Sequence, residues 1–76
     1  MIVYTPLWNT MKQRGITTYT LRVKHEMGSG TVQRLRKNMS VSTNTLDDLC
    51  KILGCTLSDI VVYIDPEAGD SFEGGE

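Results

Sequence analysis

The stretch from Thr17 to Asn38, TTYTLRVKHEMGSGTVQRLRKN, constrains the fold of this chain more than any other. It reads as two short helices joined by a tight turn. Leu21 anchors the first helix, Glu26 to Gly28 interrupt it, and Val32 and Leu35 recur three residues apart, which on a helix is one face. The opposite face of the second helix carries Ser29, Gly30, Thr31, Gln33, Arg34, Arg36 and Lys37, all small, polar or positive. A unit of this kind cannot close its own core, so the remaining residues must supply the helices that cover its apolar side.

Charge says what the other side faces. The net charge is only -1, yet through Asn38 the chain holds seven bases against Glu26, and after Asn38 it holds eight acids against Lys51. A half at +6 followed by a half at -7 makes a dipolar molecule, whose positive half is drawn to a polyanion while the other half is turned away. A helix buried on one side and basic on the other suits the major groove of double-stranded DNA.

Seventy-six residues make one domain near the lower limit for a self-sufficient core, with room for four or five short helices, so oligomerisation is expected. No apolar run approaches a membrane span and no signal-peptide pattern opens the chain, so a soluble, cytoplasmic protein is expected. Cys50 and Cys55 stand five apart without a CxxC motif or a His pair, and read as reduced, packed thiols. His25 has no nucleophile, second histidine or acidic pair at helical spacing and is expected at a half-buried packing position. With no metal cluster, glycine-rich phosphate loop or nucleophile beside a base, no enzyme activity, cofactor, metal or small-molecule ligand is expected.

Local signals divide the chain further. Thr5 is predicted as the N-cap of a first helix with Pro6 at its first position, Leu7, Trp8 and Met11 on its inner face, and Gly15 as its left-handed stop. Ile16 and Leu21 flank Thr17 at the spacing of a hydrophobic staple, which sets the second helix at about Thr18 to His25. The third ends near Asn38. Ser42 caps a fourth helix with Leu46, Leu49, Cys50 and Leu53 on one face, stopped by Gly54. Thr56 with Asp59 approximates a capping box and predicts a short fifth helix to about Val61 that buries Leu57 and Ile60. Ile2 to Tyr4 form a short strand or an apolar arm. Val62 to Ile64 are extended and pair with them, within one subunit or across a dimer.

Five helices in this order, the second and third as a helix-turn-helix, resemble the phage Cro and C1 repressor type of DNA-binding domain, the XRE family. The resemblance covers about Pro6 to Tyr63. The family's core motif, Leu-Ala-x-x-x-Gly-(apolar)-Ser-x-x-Thr-(Ile/Val)-x-x-(apolar), is matched at Leu21, Met27, Thr31, Val32 and Leu35 with every spacing intact. The stretch VSTNTLDDLCKILGCTLSDI is also similar to the last two helices of a small bacterial branch of the family, down to both cysteines. Three positions depart. Arg22 replaces a small residue and must snorkel outward; Glu26 replaces the turn glycine and, if its φ is positive, is strained by about 1 kcal/mol; Gly28 replaces a Ser or Thr cap at a loss of a few tenths of a kcal/mol, in order-of-magnitude terms.

The resemblance implies an all-α, compact five-helix bundle of the lambda-repressor type over residues 1–64, with short terminal strands as an addition and an acidic flexible tail over 65–76. It places base-reading positions at Ser29, Gly30, Thr31 and Arg34, and phosphate positions at Thr18, Gln33, Arg36, Lys37 and Asn38. Thr17 joins Thr18 because their hydroxyls lie at a helix N-terminus, where a phosphate oxygen can be held, although capping alone accounts for both. Gly30 reads nothing directly but lets the backbone approach closely. Arg34 is the principal expected base reader, through two hydrogen bonds to guanine. The function implied is a sequence-specific transcriptional regulator, most simply a repressor, bound as a homodimer to a pseudo-palindromic operator. The alternative is a protein-interaction module, antitoxin-like or anti-repressor, which the acidic second half favours.

Overall fold

Four leucines with no exposed surface, Leu7, Leu21, Leu35 and Leu49, meet Ile60 in a single core. In the computed structural model, which describes residues 1–65, the leucines come one each from α1 (Thr5–Arg14), α2 (Thr18–Val23), α3 (Ser29–Arg36) and α4 (Thr43–Leu53). Ile60 follows a single 3-10 turn at Leu57–Asp59. A two-stranded antiparallel sheet, β1 (Ile2–Val3) with β2 (Val62–Tyr63), brings the two ends of this region together. Ile2 stands opposite Tyr63 and Val3 opposite Val62, so the two apolar terminal segments pair within one chain.

Where a helix end depends on adjacent residues, sequence and structure agree. Gly15 sits at φ 70 and ends α1 in a Schellman cap, with Gly15 N–H to Lys12 O at 3.3 Å and Ile16 N–H to Met11 O at 2.9 Å. Thr17 Oγ1 accepts the Thr20 N–H at 3.2 Å, and Ser42 Oγ accepts the Thr45 N–H at the same distance. Gly54 closes α4 at φ 62. Its carbonyl and that of Leu53 receive the Arg14 guanidinium, Nε to Leu53 O at 2.8 Å, so the C-terminal ends of α1 and α4 are tied together. Cys50 and Cys55 are free and half-buried against the core, and burial, followed by the neighbouring Cys50, pushes the Cys55 thiol up.

Several expectations are corrected. The expected fifth helix is only the 3-10 turn, leaving four α-helices. Thr56 N–H does donate to Asp59 Oδ2 at 3.2 Å, but the following bonds span three residues, Asp59 N–H to Thr56 O and Ile60 N–H to Leu57 O. Two residues later the chain must be extended to pair with β1, which leaves no length for a second turn. Leu57, expected to be buried, is consequently exposed. Tyr4 rather than Thr5 precedes α1 as its cap residue, and it has no side-chain cap bond. The Tyr4 N–H instead donates to Asn38 Oδ1 at 2.9 Å and its hydroxyl to Met39 O at 2.9 Å, so tertiary bonds hold this helix start in place.

The second helix stops at Val23, two residues short of the expected His25, because Glu26 turns the chain at φ 57 and Met27 N–H returns to Leu21 O at 3.0 Å. His25, outside the helix, is exposed rather than half-buried, and Arg22 points its charge to solvent as expected. A left-handed glutamate is strained. Glu26→Gly is expected to raise stability by a few tenths of a kcal/mol at most, about 1 kcal/mol of relieved strain less the added freedom of the unfolded chain. A lower melting temperature for this variant would show that the glutamate makes a stabilising contact there. No helix among the described residues is long and apolar enough to cross a membrane. The tail expected over 65–76, Phe72 included, lies beyond Asp65 outside the described residues.

Candidate nucleic-acid interface

The α3 helix is short enough that its orientation is set by two side chains, Val32 and Leu35, both buried. With that side fixed, Ser29, Gly30, Gln33, Arg34, Arg36 and Lys37 are all exposed, and Thr31 is half-buried at the edge. Gly30, Arg34 and Lys37 follow one another at helical spacing and so share a face. Gln33 and Lys37 form a parallel row. The expected base-reading and phosphate-contacting residues of this helix therefore lie on one continuous surface, which is a consequence of the two buried anchors.

Gly30 has no structural reason within the described residues. An added Cβ there would meet nothing within 4 Å, and its φ is not in the left-handed region. The backbone at Gly30 is thus uncovered by any side chain.

The remaining expected contacts sort into two groups. Arg36 Nη2 donates to Thr18 Oγ1 at 3.1 Å, bringing the last turn of α3 onto the first residue of α2, so Thr18 and Arg36 form one polar site. Thr17 is occupied by capping, its Oγ1 accepting from Thr20 N–H and lying 3.2 Å from Thr20 Oγ1. Asn38 is left-handed at φ 58 and ends α3 in a second Schellman cap, Met39 N–H to Arg34 O at 2.8 Å, while its Oδ1 holds the Tyr4 N–H. The side chain of Asn38 thus joins the recognition unit to β1, a role that its local sequence does not reveal. Its tolerance of the left-handed conformation was the only signal, and that signal pointed to the helix end alone.

Electrostatics favour the same surface. Among the described residues Arg34, Arg36 and Lys37 form no ion pair, and the one salt bridge is Lys51 to Asp47 at 3.0 Å on α4. Lys51 is raised by its hydrogen bond to Asp47, then by that carboxylate's charge. A cleft of about 450 Å³ separates the turn from α4, lined by His25, Glu26, Thr31, Asp48 and Lys51 among others. Its two acids, Glu26 of the turn and Asp48 of α4, thus share the cleft with Lys51. Among the described residues no group of three or more His, Cys, Asp or Glu side chains is arranged to hold a metal ion.

Comparison with known proteins gives a consistent picture. The family model for the Cro/C1-type helix-turn-helix DNA-binding domain matches residues 6–66. The crystal structure of the transcriptional regulator VanUg, form II, is similar with a TM-score of 0.77 and 28% sequence identity, over 83% of this chain and 84% of that one. No curated protein sequence matches.

Proposed function

Because this chain belongs to the Cro/C1-type helix-turn-helix DNA-binding domain family, we propose that it is a sequence-specific transcriptional regulator that represses by occluding an operator as a homodimer. The observation that carries the reading is the exposed face of α3, where Arg34, Arg36 and Lys37 stand beside an uncrowded Gly30 while Val32 and Leu35 hold the helix down. On this reading Ser29, Thr31 and Arg34 meet base edges, Gly30 permits close approach, and Gln33, Arg36 and Lys37 meet phosphates with Thr18. The Thr17 hydroxyl serves the cap first, and Asn38 contributes mainly by setting the end of α3.

Homodimer formation is favoured by the exposed apolar side chains at and beside the sheet, Ile2, Val62, Tyr63 and Ile64. Two copies joined there would present two recognition helices, and a pseudo-palindromic site with half-sites about 34 Å apart follows from the symmetry. The VanUg likeness, to a protein described as a transcriptional regulator, favours regulation over a module that only binds protein.

The direct test is an electrophoretic shift on random duplex DNA at low salt, where micromolar binding is expected and its absence would sink the proposal. Lys37→Ala should then weaken binding to all sequences about equally and reduce the slope of log affinity against log salt by about 0.9. An unchanged slope would remove Lys37 from the phosphate contacts. Selection of bound sequences from a random pool would identify the operator.

A further inference from the structure

We propose that Cys50 and Cys55 form a dithiol site that takes up two-electron oxidation from a low-molecular-weight disulfide, closing an internal disulfide across the C-terminal end of α4. The pair is held by the way that helix stops. Gly54 reverses the chain at φ 62, and the Cys55 N–H donates to Cys50 O at 3.1 Å. In a left-handed cap of this kind the two residues joined by that bond bring their side chains into contact. Residues five apart lie on different faces of a continuing helix, so the cap alone brings the thiols together. The corresponding bond at the end of α1 joins Ile16 to Met11, which shows that ordinary apolar side chains satisfy the packing of such a cap. Thiols at both ends of the bond add a chemistry that packing does not need.

The surroundings suit the reaction. Both thiols are free and half-buried, packed against the core yet within reach of a small oxidant. Burial first, then the charges of Cys50 and Asp59, hold the Cys55 thiol up, and a side-chain hydrogen bond with Cys50 acts in the same direction, so each sulfur lies within the other's reach. The Arg14 guanidinium, bound to Leu53 O and Gly54 O, acts on Cys55 in the opposite sense and supplies a positive charge beside a thiolate. In the first step one cysteine loses its proton to water and attacks a sulfur of oxidised glutathione. The glutathione S–S bond breaks, and one glutathione leaves as a thiolate that takes up a proton. The second cysteine, also deprotonated, attacks the protein sulfur of this mixed disulfide, forming the bond between Cys50 and Cys55 and releasing the other glutathione. The protein pair loses two electrons and two protons, and the small disulfide gains both to become two thiols. The ring so closed includes Leu53 and Gly54, whose carbonyls hold Arg14, and it staples the end of α4 that is tied to α1.

The test equilibrates the full chain with mixtures of oxidised and reduced glutathione, quenches with acid and reads the products by mass spectrometry after alkylation. Closing the ring lowers the mass by two hydrogens and protects both cysteines from alkylation. Against a fixed concentration of reduced glutathione, the folded chain is expected to close the ring at about tenfold less oxidised glutathione than the same chain in concentrated urea, because the cap holds the sulfurs together beforehand. By linkage, the oxidised chain then melts at a higher temperature than the reduced one. Cys50→Ser and Cys55→Ser should each stop at the mixed disulfide, with no rise in melting temperature. An equal or greater need for oxidant in the folded chain would overturn the proposal, since the thiols would then be packed side chains and no more. Disulfide-linked dimers or mixed disulfides as the end product of the parent chain would overturn it too, as would a rise in melting temperature in either serine variant, which would assign the effect to the bound glutathione.

Discussion

Replacing Leu35 by Ala is expected to lower the folding stability by about 2–5 kcal/mol, the range for a truncated core leucine. Leu35 has no exposed surface and stands in the core with Leu7, Leu21, Leu49 and Ile60, so the change leaves a cavity bounded by elements that are themselves short. A domain of this size has only about 4–11 kcal/mol in total. The variant should therefore be partly unfolded at ambient temperature, and any loss of DNA binding should track the unfolded fraction. Urea denaturation checks this. A midpoint that falls with an unchanged slope is the expected result, and a midpoint unmoved within about 0.5 kcal/mol would mean that α3 is not seated through this side chain.

The adjacent position behaves in the opposite way. Arg34 is exposed, makes no side-chain hydrogen bond among the described residues, and exchanges for alanine without loss of helix propensity. Arg34→Ala should leave stability within about 0.5 kcal/mol of the parent chain. On the selected operator it should cost about 1–3 kcal/mol, a loss of roughly 5- to 150-fold, and relax the preference at one base pair. Binding to random duplex should fall much less. Comparison of both affinities at one salt concentration separates the roles, since an equal loss on operator and random DNA would make Arg34 a phosphate contact. The pair of substitutions divides α3 into a side that holds the fold and a side that reads.

Much of this division was legible along the chain. The three-residue spacing of Val32 and Leu35 is enough to orient a helix, because any helix that buries both must expose the positions between them. The caps at Thr17, Ser42, Gly15 and Gly54 were legible for the same reason: a hydroxyl or a left-handed glycine acts on amides only a few residues away. The left-handed turn at Glu26 was open in the sequence, where only the turn glycine of the resembling family pointed to it, and the structure sets it at φ 57. The 3-10 turn was not legible, since Thr56 and Asp59 carry a cap pattern that would serve a longer helix equally well.

The amino-acid order by itself thus determined the helix faces, the caps and the basic side of α3, all of which follow from interactions within a turn or two of backbone. Tertiary structure alone decided how that unit is held. Asn38 receives the Tyr4 N–H from 34 positions away, Arg14 reaches Leu53 across 39, and Arg36 meets Thr18 across 18. It likewise decided that the terminal strands pair within one chain and that the fifth helix yields to a single turn. Such bonds leave no periodic trace, because the partner is chosen by where the packed core places it and not by its distance along the chain.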